Sequence, residues 1–422
     1  MRDFLSTFVG KSVRAGLSFR RGGGQALPGL VIEKLDSRYV ARMLDKLPEG
    51  VVVVTGTNGK TTTTKMIVEL LKANGKTVLT NSTGSNLVRG IASSIAQHAS
   101  ISGRLRYDIA VLEVDEAAAK TLSELIRPSW VLALNVSRDQ LDRFGEVDTI
   151  AGYIENVMRQ ARDGIIVNAG DPHLIAATRR AKVPAHYFGV APTLKKYFPS
   201  DYELAAVDKE ATQNSSETRP LDVRLANFRG QKVTYKIDGQ NYTANLKLSG
   251  QHNYLNGAAA LALVRRLIPG NNPSKLVEEL ASVSLAFGRG EKYRLKNGAE
   301  IELVLVKNPA SFTQALSSYN AKESNLMIAI NDNIADGRDV SWLWDVNFVP
   351  LQKQKVFLTS GRRAADMALR LSYDEIKTLN VEPDLHRGLM TLGEQPGPKV
   401  VLATYTAMLQ LYAYLSKRGE KI

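Results

Sequence analysis

A run of four valines followed by a glycine-rich turn constrains the fold of this chain more than any other feature. Residues 51–62 read Val-Val-Val-Val-Thr-Gly-Thr-Asn-Gly-Lys-Thr-Thr. The β-branched run predicts a short buried strand, and residues 61–73 after the turn have the apolar spacing of a helix. A strand, a glycine-rich turn and a helix in this order are typical of a parallel α/β sheet whose turn binds phosphate.

The residue types in this turn indicate a site for a nucleotide with Mg²⁺. Backbone N–H groups and the helix N-terminus bind the phosphates, Lys60 adds positive charge, and the Thr61 hydroxyl can ligate Mg²⁺. Because Mg²⁺ also needs a carboxylate, we expect Glu113, which closes the strand 109–112, to be its second protein ligand. Two neighbouring acids remain alternatives for this ligand: Asp115 and Glu116.

The turn is a tighter variant of the general P-loop. The general pattern places a glycine six residues before its lysine, and Val54 stands there in this chain. A chance Gly-Lys-Thr sequence is the alternative, but the strand before it and the helix after it argue against chance. We predict that the ATP phosphates contact the turn and the helix start: Gly56, Thr57, Asn58, Gly59, Lys60, Thr61 and Thr62.

Strand and helix patterns alternate along most of the chain, which predicts an α/β fold. We expect a central domain at 48–290 with a parallel sheet, followed by a smaller α/β C-terminal domain at 291–422. Residues 190–247 are polar with short alternating strands, which predicts a β-rich insert in the central domain. Further apolar strand segments lie at 78–79, 109–112, 131–134, 165–167, 301–306, 326–330, 356–358 and 400–403.

A lead segment at 1–47 begins with a basic amphipathic stretch. Such a stretch can lie on a membrane surface, or it can pack its apolar face on its own domain, and we expect the packed arrangement. Its apolar residues at near-helical spacing are Phe4, Leu5, Phe8, Val9, Val13, Leu17 and Phe19, and its basic residues are Arg2, Lys11, Arg14, Arg20 and Arg21.

Composition excludes several classes of site. The chain has no cysteine, so disulfides and thiolate metal sites are impossible, and its five histidines lack metal-ligand spacing. No signal peptide or apolar run of about 18 residues is present, so we expect a cytoplasmic protein. The net charge of +13 fits solvated basic faces, a phosphorylated substrate or a membrane-bound one, and no nucleic-acid motif accompanies it.

Five ordered motifs give this chain a resemblance to the Mur ligases, a family that includes the folylpolyglutamate synthases. The motifs are Gly56–Thr61, Asn135–Gly145 (with Gln140 where the family has His), Asn168–Asp171, Gly250–Asn256 and Phe287–Glu291. The resemblance implies a P-loop central domain with ATP and Mg²⁺ as cofactors. It also implies nucleotide contacts by His252, Asn253, Asn256 and Arg289, and it leaves Asn135, Asp139 and Asp142 open between substrate contacts and structural roles.

Three further segments are similar to the MurT group of this family: 27–29, 307–312 and 331–345. That similarity implies ATP-dependent amidation of the D-glutamate α-carboxylate of lipid II through an acyl phosphate. It also implies a heterodimer with a GatD-like glutaminase that supplies ammonia, at the inner face of the membrane. In this group an aspartate of the synthetase subunit completes the glutaminase's Cys-His pair, and Asp336 and Asp339 are the candidates here.

The chain departs from the family pattern at two places. Many MurT-like proteins carry a four-cysteine zinc ribbon in the insert, and without cysteine we expect no zinc there. Many Mur ligases carry a carbamylated lysine, and no lysine lies between Lys120 and Lys182. Two alternatives therefore stay open: another Mur-type amide ligase, such as a folylpolyglutamate synthase, and a nucleotide-binding scaffold without catalysis.

Overall fold

The computed structural model shows a chain that forms two compact units. The first comprises residues up to 136 together with 147–284, and the second comprises the chain from 285 onwards. The structure describes residues 2–18, 27–81, 87–137, 147–198, 219–248, 250–284, 289–318, 325–352 and 355–421.

A nine-stranded sheet runs through the described part of the first unit, in the order β2-β3-β1-β4-β5-β6-β7-β8-β9. The strands from β2 to β7 are parallel, and β8 and β9 continue the sheet antiparallel. The strands are β1 (Val51–Thr55), β2 (Val78–Thr80), β3 (Ile109–Glu113), β4 (Trp130–Ala133), β5 (Gly164–Asn168), β6 (Ala185–Val190), β7 (Val223–Arg229), β8 (Lys232–Ile237) and β9 (Gln240–Asn245).

Helices follow most of the parallel strands, as the alternating pattern predicts. The four valines of β1 are buried because neighbouring strands pair with both edges of β1 and helices cover the sheet. The helices of this unit are α1 (Arg2–Ser18), α2 (Leu27–Leu35), α3 (Tyr39–Leu44), α4 (Lys60–Ala73), α5 (Val88–His98), α6 (Glu116–Leu125), α7 (Val147–Arg159), α8 (Pro172–Thr178), α9 (Gln251–Leu267) and α10 (Pro273–Ser282).

The strands expected in the 190–247 insert extend the main sheet of the first unit. β7 pairs with β6 in parallel, and β8 and β9 follow as antiparallel strands. Val233, Tyr235 and Ile237 alternate along β8 and are buried, and the Tyr235 hydroxyl donates a 2.8 Å hydrogen bond to the Tyr254 carbonyl of α9. Strand alternation predicted the strands, but it carries no information about which sheet they join.

The lead segment forms α1, α2 and α3, which pack on α5. The expected burial of the apolar face of α1 is wrong at its first two turns, where Phe4, Leu5 and Phe8 are exposed. The buried face is small and polar instead: Thr7 hydrogen-bonds Tyr39 at 2.8 Å. A Cβ on Gly10 would lie 2.5 Å from Ile32 Cδ1. Close helix packing and side-chain hydrogen bonds therefore decide which face turns inward.

The second unit contains a seven-stranded sheet in the order β14-β13-β12-β15-β11-β10-β16 within the described residues. The strands from β14 to β11 are parallel, and β10 and β16 are antiparallel. The elements are β10 (Arg289–Leu295), β11 (Glu300–Leu305), α11 (Pro309–Ser318), β12 (Asn325–Ala329), β13 (Lys355–Ser360), α12 (Ala364–Tyr373), β14 (Lys377–Glu382), α13 (Leu385–Gly393), β15 (Lys399–Ala403), α14 (Tyr405–Arg418) and β16 (Gly419–Lys421).

In neither unit does a described helix combine the length and the apolar content that a membrane span requires.

Candidate active site

The turn between β1 and α4 adopts a conformation that only glycine provides at little cost. Gly56 and Gly59 have φ values of 132° and 89°, in the region that L side chains rarely adopt. A Cβ on Gly59 would also lie 2.6 Å from Asn256 Oδ1 on α9. The two glycines thus let the turn bend back over the helix start, as an anion-binding loop requires.

Asn135, which follows β4, holds this turn in place. Its carbonyl accepts a hydrogen bond from the Thr57 N–H at 3.0 Å, and its Oδ1 accepts one from the Asn58 N–H at 2.8 Å. Its Nδ2 donates to the Asn58 carbonyl at 2.9 Å. Of the two roles left open by the sequence, these contacts support the structural one, because three hydrogen bonds join Asn135 to the loop.

Lys60 forms a buried ion pair with Glu116. The Lys60 Nζ atom lies 3.1 Å from both carboxylate oxygens of Glu116 and donates a 2.6 Å hydrogen bond to the Gly56 carbonyl. The side chains of the pair are 8% and 3% exposed. Glu116 was expected as an alternative metal ligand, but its position at the first turn of α6 makes it the counter-charge of Lys60.

Thr61 and Glu113, the two expected Mg²⁺ ligands, lie together at the carboxyl end of β3. The Thr61 hydroxyl donates a 2.9 Å hydrogen bond to Glu113 Oε1. Glu113 is buried, and Asn81 exchanges two hydrogen bonds with its main chain, at 2.8 and 2.9 Å. Asp115, the remaining alternative, instead caps α6 by accepting from the Ala117 N–H. A hydroxyl beside a carboxylate is a suitable partial ligand set for Mg²⁺, which keeps several waters and phosphate oxygens.

Within the described ranges, no group of three or more histidine, aspartate or glutamate side chains is arranged to hold a metal ion. A site with a single carboxylate ligand therefore depends on oxygens from outside the protein to complete the coordination of a metal ion.

The first turns of α9 lie beside the phosphate turn. Asn253 and Asn256 are buried, and the amide group of Asn256 faces Gly59. Among the described residues, the Nδ2 atom of Asn256 has no hydrogen-bond partner. His252 is half-buried, and its ring lies against Gly250, where a Cβ would be 2.8 Å from Cε1. The structure thus places Asn256 near the expected phosphates.

The Asn168–Asp171 motif joins two strand ends. Asp171 Oδ2 accepts a 2.6 Å hydrogen bond from the Val136 N–H, and Oδ1 accepts one from the Leu174 N–H at 3.1 Å at the start of α8. Burial raises the pKa of the Asp171 carboxyl. Asn168 Nδ2 donates to the Leu134 carbonyl at 3.1 Å. These contacts give the motif a structural role at the ends of β4 and β5.

Three expected site residues lie wholly or partly outside the described residues. Asp139 and Asp142 lie outside the described residues, and the side chain of Arg289 does as well. The main chain of Arg289 opens β10 in the second unit, where it pairs with Val304.

Asp336 and Asp339, the two candidates for contact with a partner, have different surroundings in the second unit. Asp336 is buried and accepts hydrogen bonds from the Thr406 N–H at 2.7 Å and the Thr406 hydroxyl at 2.5 Å. Asp339 is half-buried and accepts a 2.8 Å hydrogen bond from the Ser341 N–H, which holds the pKa of its carboxyl below the ordinary value. Asp336 therefore caps the first turn of α14, whereas Asp339 lies at an accessible turn.

The two tryptophans of this segment, Trp342 and Trp344, differ in burial. Trp342 is buried against Phe312, with ring centroids 6.2 Å apart, so it belongs to the core. Trp344 is 52% exposed, and its ring lies 5.0 Å from both the ring of Tyr373 and the guanidinium of Arg370. An exposed tryptophan in edge contact with a tyrosine and packed against an arginine has the composition of a protein-binding surface.

Comparisons with known proteins agree with this geometry. A family model described as the Mur ligase middle domain matches residues 54–264, and a model described as the MurT ligase C-terminal matches residues 305–408. The chain is 32% identical over 450 residues to the "Lipid II isoglutaminyl synthase (glutamine-hydrolyzing) subunit MurT" of Streptococcus pneumoniae, covering 99% of this chain and 98% of that protein.

Solved structures of Mur ligases share the fold. MurF from Acinetobacter baumannii has a TM-score of 0.68 at 19% identity, over 92% of this chain and 80% of its own. Folylpolyglutamate synthase from Mycobacterium tuberculosis, complexed with ADP and AMPPCP, has a TM-score of 0.60 at 15% identity, over 98% and 99%. At these identities the likeness shows the fold alone.

The family models and the full-length relative confirm the predicted resemblance, and the two solved structures confirm the predicted α/β fold. Because the full-length relative is named a synthase and the middle-domain model is that of the Mur ligases, the chain is an enzyme of the ligase class, and a non-catalytic scaffold is set aside. The chain belongs to the Mur ligase family, in its MurT group.

Proposed function

We propose that this chain is the synthetase subunit of an enzyme that amidates the D-glutamate α-carboxylate of lipid II to D-isoglutamine. The observation that carries the proposal is the nucleotide site of Lys60, Thr61 and Glu113 in a chain that matches a named isoglutaminyl synthase subunit over its full length. The MurT C-terminal match favours this reaction over folylpolyglutamate synthesis.

The proposed reaction has two steps. A carboxylate oxygen of the substrate attacks the γ-phosphorus of ATP, which forms an acyl phosphate and releases ADP. Ammonia then attacks the acyl carbon, phosphate leaves with the former carboxylate oxygen, and the nitrogen loses a proton to become the amide. The acceptor carboxylate is already nucleophilic, so the first step needs charge neutralisation and positioning and no general base.

The turn, Lys60, Thr61 and Glu113 supply this neutralisation and positioning. Mg²⁺, when bound, neutralises the phosphate charge that develops in the first step. Thr61 and Glu113 would hold it, since their oxygens already lie 2.9 Å apart. The N–H groups of the turn would bind the β-phosphate at the N-terminus of α4, and the unsatisfied Nδ2 of Asn256 supports an additional contact to a phosphate oxygen.

Lys60 must change partners when ATP binds. Its ammonium is held by Glu116 and by the Gly56 carbonyl, beside the glycines that would surround the phosphates. A bound phosphate brings a stronger negative charge than one carboxylate, so Lys60 would turn toward the phosphates. Glu116 thus keeps the cation buried and positioned while the nucleotide is absent.

Ammonia would come from a GatD-like glutaminase that binds the second unit in a heterodimer. The exposed Trp344–Tyr373 pair supports this surface, because large aromatic side chains dominate the centre of protein interfaces. Asp339 is accessible at the surface of the same segment, whereas Asp336 is buried under the start of α14. Asp339 is therefore the better candidate to orient the partner's catalytic histidine, as the acid of a hydrolase triad does.

A lipid-linked substrate places the proposed reaction at the inner face of the membrane. The chain would act there as a peripheral membrane protein, and its net charge of +13 would favour binding to anionic lipid.

The proposal is tested with purified chain, lipid II in detergent, Mg·ATP and ammonium, with product masses measured by mass spectrometry. We expect replacement of one hydroxyl by an amino group, and no product with Lys60→Ala. The same mixture with free amino acids in place of ammonium gives no product. Attachment of an amino acid would contradict the proposal and favour a folylpolyglutamate synthase-like reaction.

A further inference from the structure

The first helix turns an apolar surface toward solvent. Phe4, Leu5 and Phe8 are 45%, 60% and 51% exposed, and the rings of Phe4 and Phe8 stack with centroids 6.1 Å apart. Residues at these positions lie on one side of a helix. Ile101, 62% exposed, lies in the turn after α5 that packs beside the first turn of α1. We call these four side chains the α1 face.

The contacts on the other side of α1 fix this orientation. Ser6 donates a 2.8 Å hydrogen bond to Asp36, and Thr7 hydrogen-bonds Tyr39 in a buried position. Asp3 forms ion pairs with Arg42 at 2.8 Å and Lys46 at 2.6 Å. Rotating α1 to bury its apolar residues would break all of these contacts. The exposure of the α1 face is therefore built into the packing of the lead segment.

Positive charge surrounds the α1 face. Lys11 and Arg14 lie one turn or two beyond Phe8, where both contact Gln97, and the one acid of the helix, Asp3, is neutralised by its ion pairs. The exposed basic residues of α1 are Arg2 and Arg14, with Lys11 half-buried, and the exposed Arg104 follows Gly103, where a Cβ would lie 3.0 Å from Asp3. An apolar strip with a basic rim matches the boundary between anionic headgroups and acyl chains.

We infer that the α1 face is a docking surface for an anionic lipid bilayer, on which α1 lies parallel to the membrane plane. The aromatic and leucine side chains enter the acyl boundary, and the basic residues contact the headgroups. The choice of a bilayer as occupant rests on the proposed function, because a lipid-linked substrate brings the enzyme to that surface. Charge argues against a second copy of the chain, which would bring two basic rims together.

Vesicle flotation of the full-length chain tests the inference. Vesicles contain equal parts of phosphatidylglycerol and phosphatidylcholine, or phosphatidylcholine alone. We expect binding to the anionic vesicles that weakens with added salt, and a partition coefficient at least about tenfold lower for the combined Phe4→Ser, Leu5→Ser and Phe8→Ser variant. The single Leu5→Ser variant should lose less, in the same direction.

The matched control is a variant that loses two apolar side chains of similar exposure on β14, in the second unit. Leu379 and Val381 on β14 are 45% and 49% exposed, and their combined replacement by serine should leave vesicle binding unchanged. Thermal unfolding of every variant verifies folding. Equal binding by the triple variant and the wild type, or a dimer in sedimentation equilibrium that the triple variant abolishes, would overturn the inference.

Amidation assays separate this inference from the proposed function. The triple variant should amidate lipid II in detergent at the wild-type rate and lipid II in anionic vesicles several-fold more slowly. If the wild type amidated lipid II neither in detergent nor in vesicles, the proposed function would be wrong, whereas vesicle binding that depends on the α1 face would still support the docking surface. Equal rates for the triple variant and the wild type in vesicles would overturn the docking surface and leave the reaction intact.

Discussion

At the scale of single residues, two contacts at the start of α4 define the candidate nucleotide site: Thr61 with Glu113, and Lys60 with Glu116. The residue types in Gly56–Thr61 identify an anion site, and the end of β3 identifies Glu113 as the nearest carboxylate to Thr61, because both follow from strand order and turn chemistry. The ion pair of Lys60 with Glu116 could not be predicted. It depends on where the first turn of α6 lies in space, and a run of three acids in four residues carries no such information.

The buried pair predicts a nucleotide-dependent stability. Glu116→Gln should lower the free energy of unfolding of the ligand-free chain by about 3 kcal/mol, because it removes the buried carboxylate charge that pairs with the Lys60 ammonium. Bound phosphate would restore that charge, so Mg·AMPPNP should raise the unfolding temperature more in the variant than in the wild type. The measurement is thermal unfolding with and without nucleotide.

The matched control for this variant is Glu124→Gln, an exposed position on the same helix. It should behave as the wild type in both conditions. An equal nucleotide-induced shift in Glu116→Gln and the wild type would show that Lys60 does not exchange partners.

The contact of Thr61 with Glu113 predicts a metal-dependent defect. Glu113→Gln keeps the shape and a hydrogen-bond acceptor but removes the charge that Mg²⁺ needs, so amidation should fall by about 10²-fold or more and require more Mg²⁺. Titration of Mg²⁺ in the amidation assay measures this. Asp115→Asn, at the cap of α6, should leave the Mg²⁺ requirement unchanged, and the same requirement in both variants would contradict the assignment.

The two aspartates of the second unit predict separable defects. Asp336→Asn should lower stability by about 1–2 kcal/mol, because it weakens the cap on α14. Asp339→Asn should lower stability less than Asp336→Asn, cripple amidation with glutamine and the glutaminase, and preserve amidation with ammonium. Paired assays with the two nitrogen sources measure this. A loss of both activities in Asp339→Asn would indicate a role in the ligase site instead.

At the scale of elements, hydrophobic periodicity predicted where strands occur in the sequence better than which sheet they join or which helix face packs inward. Buried apolar runs identified β1, β3, β4 and β5, because parallel strands covered on both sides must be apolar throughout. The same reasoning could not place β7, β8 and β9 in the main sheet or orient α1. Amphipathic spacing shows that a helix has two faces, and the close approach of Gly10 to Ile32, together with the hydrogen bond of Thr7 to Tyr39, decides which one packs.

The anchoring of the lead helices predicts a pH dependence. Hydrogen bonds from Arg42 hold the pKa of Asp36 below its ordinary value of 3.8. A carboxylate whose pKa is lower in the folded state stabilises the fold at pH values above its unfolded-state pKa. This stabilisation is lost as the pH falls through the folded-state pKa. The stability difference between the wild type and Asp36→Asn, about 1 kcal/mol, should therefore stay constant from neutral pH and close below pH 3.8.

Denaturant unfolding at a series of pH values measures this difference. Asp45→Asn, an exposed position at the end of α3, is the control and should show no such dependence. A difference for Asp36→Asn that persists at the lowest pH would mean that the ion pair does not anchor the lead segment.

At the scale of the whole molecule, function is divided between two units that each carry a different kind of evidence. The first unit contains the phosphate turn, the Thr61–Glu113 pair and the helix α9 beside them, which are parts of a nucleotide site. The second contains the MurT C-terminal match and the exposed aromatic pair, on which the proposed partner surface rests. A chain with only the first set would be an unspecified Mur-type ligase, so the second set decides the proposed substrate.

Transfer of oxygen-18 from the substrate to phosphate would show that amidation passes through an acyl phosphate. Lipid II carrying oxygen-18 in the D-glutamate α-carboxylate is incubated with the chain, Mg·ATP and ammonium, and the released phosphate is analysed by mass spectrometry. The account predicts one labelled oxygen in phosphate for each amide formed, and neither product with Lys60→Ala. Amide formation with unlabelled phosphate, or ATP hydrolysis without amide, would contradict it.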